Sequence, residues 1–253
     1  MRVLISPAKK MRVDTDSFAA EDLPAFLDRA EILADRLREM TYPELKALWK
    51  CSDQIAQRSL EQLQAMDLRK GLTPALISYE GIQYRYMAPG VFTTEELAYV
   101  REHLRILSGF YGLLRPFDGV VPYRLEMQAK LSICEAKDLY AFWDTIIAKS
   151  VLSETGCILN LASKEYSVCV SRHLPKSARW VTCIFGERKN SCIIEKGTQC
   201  KMARGEMVRF MAEERIQKVE DVRAFDRLGY RFSATDSGKD TYTFVKDSLP
   251  VKN

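Results

Sequence analysis

Residues 104–127, LRILSGFYGLLRPFDGVVPYRLEM, constrain this chain more than any other stretch. Gly109, Gly112, Pro116 and Pro122 interrupt any helix drawn through it, because proline lacks an amide donor and glycine is entropically costly inside a helix. The segment also fails to alternate apolar and polar residues as a half-buried strand does, on either side of Gly109. Arg105, Arg115 and Arg124 sit in it among aliphatic and aromatic side chains. Such a segment reads as backbone shaped to present cationic donors, which suit an anionic or planar partner.

The rest of the chain reads as mixed α/β. Arg2–Ile5 is a short buried strand opening into a Ser6-Pro7 loop. Residues 23–40 carry apolar side chains at helical spacing, Pro43 suits the first turn of a second helix ending near Trp49, and Ser52 can cap a third running to about Met66. Leu76–Tyr79 is predicted as a strand. Thr93-Thr94-Glu95-Glu96 is a capping-box start for a helix carrying Leu97, Val100 and Leu104. Lys137–Leu152 is predicted as one helix, Cys157–Leu161 as a buried strand leading into a helix, and Trp180–Phe185 with Cys192–Glu195 as a hairpin. Cys200–Val219 is predicted helical, and Tyr230–Phe232 with Tyr242–Val245 is predicted to close the sheet. The expectation is one unit over residues 1–253. It has one central sheet flanked by helices, with a helical insertion at about residues 20–70 after the first strand.

With 47% hydrophobic and 28% charged residues, the 253-residue chain has the composition of a globular protein. Its apolar runs fall far short of the roughly 20 residues that cross a bilayer, and the run before Lys9-Lys10 is too short for a signal-peptide core. A soluble cytoplasmic protein is expected, with no membrane partner. The seven cysteines include no pair separated by only two residues, and the histidines are His103 and His173 alone. Neither a zinc ribbon nor a histidine-built metal centre is well supplied; no metal or cofactor is expected. A net charge of +4 permits a local basic cleft without demanding one.

Several constellations can carry chemistry. Ser6-Pro7-Ala8-Lys9 follows a strand, where Lys9 either meets a phosphate or forms a solvated pair with Lys10. Leu107–Gly112 invites comparison with the hairpin of a helix-hairpin-helix motif, whose glycines let backbone amides approach a DNA phosphate, although two residues here separate Gly109 from Gly112; a plain glycine turn is the other reading. Proline beside Arg115 and near Arg124 limits the entropy lost on holding a ligand. Glu126 is either a catalytic carboxylate or the partner of one of these arginines. Asn160, Ser163, Glu165 and Tyr166 cluster after a strand, where open α/β sheets bind ligands, while Ser163 equally suits a helix cap. Lys201 and Arg204 share a helix face, with Gly205 allowing close approach or the face simply being solvated.

These same words make the chain resemble the YaaA family of bacterial peroxide-stress proteins. They are ISPAK (Ile5–Lys9), LSGxYGLLRPxD (Leu107–Asp118), PYRLEM (Pro122–Met127) and DLYxFW (Asp138–Trp143), followed by NLAS with EY (Asn160–Ser163, Glu165, Tyr166) and KxARG (Lys201, Ala203–Gly205). The resemblance implies protection during peroxide stress, with lower intracellular free iron. It also implies a single α/β unit with a positively charged cleft, a helix-hairpin-helix-like element and binding to double-stranded DNA. Two positions depart from the family pattern: Glu80 precedes Gly81 where a lysine is frequent, and Gly197-Thr198-Gln199-Cys200 lacks an aromatic residue before KxARG.

Two functions follow as expectations. In the first, Lys9, Arg105, Gly109, Gly112, Arg115, Arg124, Lys201 and Arg204 meet the phosphates of duplex DNA, bubbled or damaged duplex included, and Tyr111 or Tyr123 stacks on an exposed base. In the second, the chain is an enzyme acting on a nucleotide or damaged nucleobase. Glu126 or Glu165 then supplies acid–base chemistry, with Ser6, Asn160, Ser163 and Tyr166 completing the pocket. Direct iron sequestration is the weakest reading, because no carboxylate spacing points to a site.

Overall fold

The computed structural model describes residues 1–190 and 192–246. Eight strands form one sheet: β1 (Arg2–Ile5), β2 (Leu104–Ser108), β3 (Gly112–Leu114), β4 (Cys157–Asn160), β5 (Arg179–Lys189), β6 (Cys192–Ile194), β7 (Tyr230–Phe232) and β8 (Thr241–Lys246). Their spatial order is β7-β8-β5-β4-β1-β2-β3, with β6 also paired to β5. The five inner strands are parallel, and β3, β6 and β7 add antiparallel partners. Parallel strands are covered on both faces and therefore read as apolar runs. Val3, Leu4, Ile5, Ile106, Leu107, Ile158 and Leu159 are accordingly buried in a common core. From β1 the chain passes to β2 and β3 on one side, then returns to place β4 on the other. The strand order thus reverses at β1, and the loops leaving β1 and β4 diverge.

Ten α-helices occur among the described residues. The insertion after β1 holds α1 (Leu27–Arg38), α2 (Tyr42–Trp49) and α3 (Asp53–Gln64). α1 buries Leu27, Ala30, Leu33, Ala34 and Leu37 along one stripe. Next come α4 (Ala75–Ser78), α5 (Ile82–Met87) and α6 (Thr94–His103). α6 starts at the expected capping box: the Glu96 amide donates to Thr93 Oγ1 at 3.3 Å, and the Thr93 amide donates to the Glu96 carboxylate at 2.8 Å. The remainder are α7 (Leu139–Trp143), α8 (Ile146–Glu154), α9 (Lys164–Ser171) and α10 (Gly197–Glu213). No helix among the described residues is long and apolar enough to cross a membrane.

Three expectations need correction. Leu76–Tyr79 is not a strand. Residues 75–78 form the buried turn α4, because the amides of Ala75 and Leu76 donate to Asp118 O and Pro116 O, both at 2.9 Å; Tyr79 alone enters a short ribbon, opposite Met11. Lys137–Leu152 is two helices, broken at Asp144, whose φ is +39°. The break seats Trp143 in the core, its indole N–H donating to Gly109 O at 2.9 Å.

The third correction concerns the helix-hairpin-helix-like element. Residues 104–114 are the antiparallel pair β2–β3, with strands rather than helices flanking the glycine turn. Every residue of β2 is buried, which is why the stretch shows no alternation. Gly112 has a φ of +74° and lies beneath Trp143, where a Cβ would come within 2.7 Å of the ring. A Cβ on Gly109 would fall 2.8 Å from Leu125 O. Both glycines are buried and let chain segments pack together, so neither is placed to meet a phosphate.

Candidate functional site

A cleft of about 380 Å³ opens where the loops after β1 and β4 diverge. Ser6, at the end of β1, accepts a hydrogen bond from the Ser163 amide at 2.8 Å, and the two hydroxyl oxygens lie 3.2 Å apart. Ser163 occupies the N-cap position of α9 without capping it through its side chain, which leaves the hydroxyl facing Ser6. The two strand-end loops are thereby tied together at the cleft.

One wall comes from α5 and α10. A Cβ on Gly205 would lie 2.1 Å from Gln83 O, so only glycine lets these helices come this close. The approach sets Lys201 and Arg204 beside Gln83 and Tyr84 on the cleft. The Tyr84 hydroxyl donates to Ser6 O at 3.0 Å, joining this wall to the β1 loop.

Another wall is Tyr123-Arg124-Leu125-Glu126, whose backbone is held against Gly109. Tyr123 anchors it. Ser108 Oγ accepts from the amides of Phe110 and Tyr111 at 3.1 and 2.9 Å, which occupies both of its lone pairs. Its hydroxyl therefore donates to Tyr123 at 2.7 Å, and the Tyr123 and Tyr79 hydroxyls share a further hydrogen bond at 2.8 Å. Burial pushes the Tyr123 hydroxyl up to about 12, so this chain stays protonated at neutral pH.

Charge in the cleft is unevenly compensated. Lys9 pairs with Glu126, and Lys10 with Glu80 at 2.7 Å. The departure at Glu80 thus puts a carboxylate on the rim. In contrast, the buried Nε atoms of Arg124 and Arg204 have no hydrogen-bond partner, and Glu195 stays 3.8 Å from Arg204. Gln83 is 6% exposed, with its amide nitrogen also unpartnered. Each such orphan costs about 1–3 kcal/mol. All three residues line this one cleft, where the two guanidinium charges suit an anionic ligand. Glu165 is half-buried and accepts from the Gln128 amide at 3.3 Å. Burial raises its carboxyl above the ordinary range and the Glu126 carboxylate adds to the rise, against the hydrogen bond from Gln128.

The cleft brings together Ser6, Lys9, Tyr123, Arg124, Glu126, Ser163, Glu165, Tyr166, Lys201 and Arg204 from the sequence expectations. The others lie elsewhere. Arg105 is 4% exposed and pairs with Glu154 at 2.6 Å, a carboxylate it shares with Arg2, so it is a buried structural cation. Arg115 is exposed and borders, with Arg105, a separate cavity of about 280 Å³. Tyr111 is fully buried, its hydroxyl accepting from the Val121 amide at 3.2 Å, and cannot stack on a base. Asn160 is 4% exposed and shapes the turn after β4, accepting from the Ala162 amide at 3.0 Å. Sequence reasoning missed Gln83, Tyr84 and Gln128. Gln83 reaches the cleft only through the α5–α10 contact, which no local pattern announces.

Residues 1–236 match the family described as "Peroxide stress protein YaaA". Similar chains are each called "UPF0246 protein". One from Lachnoclostridium phytofermentans is 48% identical over 253 residues, covering 100% of this chain and 99% of its own. Others from Agathobacter rectalis and Pediococcus pentosaceus are each 48% identical, covering 97% and 98% of this chain and 99% of their own.

Proposed function

Because the chain belongs to the peroxide stress protein YaaA family, we propose that it acts in the cytoplasm under peroxide stress by binding double-stranded DNA across the mouth of the cleft and drawing one unpaired nucleotide into it. The observation that carries this reading is the convergence of Arg124, Arg204 and Gln83, each with a buried, unpartnered nitrogen, on one cleft. The exposed Lys9, Lys10 and Lys201 at its edge supply phosphate contacts outside. A cleft of about 380 Å³ is of nucleotide size and far too small for a duplex, so a base must leave the stack to enter, which costs least where the duplex is bubbled or damaged.

The test is affinity against salt for intact, bubbled and oxidised duplex, comparing the parent with Arg124→Ala/Arg204→Ala. Tighter binding to bubbled duplex is expected, and the double variant should lower the log–log salt slope by about 2 through two lost phosphate contacts. Equal affinity and slope in the double variant would remove the cleft from the DNA interface.

A second reading, an enzyme acting on a nucleotide or damaged nucleobase, is favoured by one observation. Glu165 is a half-buried carboxyl raised by burial, inside the cleft and next to a second carboxylate. The iron effect implied by the resemblance is read as indirect: among the described residues, no three His, Cys, Asp or Glu side chains group as a metal site.

A further inference from the structure

We propose that Glu165 and Glu126 are an acid–base pair that hydrolyses the N-glycosidic bond of a phosphate-bearing nucleoside held in the cleft. This rests on the reading of Arg124 and Arg204 as the phosphate grip. Both carboxylates line the cleft and both are held by Gln128, whose main-chain amide donates to Glu165 Oε1 at 3.3 Å and whose side-chain amide donates to Glu126 Oε2 at 3.5 Å. Their surroundings differ. Glu126 is ion-paired with Lys9, and Glu165 has no cation paired to its carboxyl among the described ion pairs. The groups facing Glu165 are the Glu126 carboxylate, Lys9, the Gln128 and Met127 amides and the Tyr166 hydroxyl, with Tyr140 donating to its main-chain oxygen at 2.9 Å. Two carboxyls held in one site with unequal environments divide naturally into an acid and a base.

The arrangement also orients a ligand. A phosphate is drawn to Arg124 and Arg204 and repelled by the Glu126 carboxylate, which leaves the sugar–base bond facing Glu126 and Glu165. Cleavage of that bond passes through a cation-like sugar, which the Glu126 carboxylate stabilises. The same charge would oppose attack on a phosphate, where negative charge accumulates.

In the step, Glu126 takes a proton from water as the water oxygen bonds to C1′. The C1′–N bond breaks, its electron pair goes to the base nitrogen, and that nitrogen takes the proton of Glu165. The products are the free base and a sugar hydroxyl. Glu126 then loses its proton and Glu165 regains one through solvent, so water is the sole co-reactant and nothing is oxidised or reduced.

The test incubates the full chain with bubbled duplex carrying normal or oxidised bases and, in a separate arm, with nucleoside monophosphates. Released base is read by chromatography and mass, and abasic sugar by an aldehyde probe; the two arms separate strand from free nucleotide as the source. The parent is expected to release base, with a rate that falls as Glu165 loses its proton at rising pH. Glu165→Gln should lose at least about 100-fold in rate while binding as tightly as the parent, its fold checked by circular dichroism. Glu126→Gln should also lose at least about 100-fold in rate, because no carboxylate is then placed to take the proton from water. Binding without base release in either arm, or an undiminished rate in Glu165→Gln, overturns the inference and leaves the anion-binding reading standing. Absence of binding to every substrate overturns both.

Discussion

Asp118 supplies a test of the tertiary structure that does not depend on function. It is 3% exposed, accepts from the Arg115 amide through Oδ2 at 2.8 Å, and lies beside Asp22. Burial raises its carboxyl from the ordinary 3.8 to about 7, opposed by the Arg115 amide and guanidinium and reinforced by Asp22. The folded state therefore holds this proton between about pH 4 and 7, where the unfolded chain has lost it. Its contribution to stability falls as pH rises through that window and is flat above it. The whole rise corresponds to about 4 kcal/mol as a ceiling. Asp118→Asn keeps an acceptor for the Arg115 amide and carries no proton to lose. Urea unfolding of parent and variant at pH 4, 5.5 and 8 should give a stability difference that shifts in favour of the variant by up to about 4 kcal/mol from the lowest pH to the highest. The same difference at all three pH values would refute the placement of Asp118 in a desolvated site.

Two further outcomes follow from packing. Glu154→Gln removes the carboxylate shared by Arg105 and Arg2 and leaves the Arg105 charge buried; a loss of about 3–5 kcal/mol is expected in urea unfolding, and a loss under about 1 kcal/mol would mean that Arg105 reaches solvent. Gly205→Ala forces α10 away from Gln83, so a loss of about 1–3 kcal/mol is expected, together with weaker binding of bubbled duplex although no charge has changed. Unaltered affinity in a titration of the folded variant would show that the α5–α10 spacing does not set the position of Arg204.

What the sequence by itself determined is the set of local elements and the family words. Val3-Leu4-Ile5 and Ile158-Leu159 had to be buried strands because nothing polar interrupts them. Thr93 and Glu96 specify the start of α6 within one turn of chain, and the Leu27, Ala30, Leu33, Ala34 and Leu37 stripe specifies the buried face of α1. Ser6, Lys9, Arg124, Ser163 and Glu165, which line the cleft, each stand out in the sequence because they lie in a short word after a strand or beside a proline. The tertiary structure decided which of the polar residues meet. Arg105 and Arg124 stand in the same stretch, yet one is buried against Glu154 and the other lines the cleft. The same packing made Gly109 and Gly112 points of close contact instead of a phosphate-binding turn, and it drew Gln83 into the cleft across α10. Periodicity and capping report only what a residue's near neighbours in sequence impose. Whether a cation ends up paired, buried or free depends on groups many residues away, and those become neighbours only when the sheet has formed.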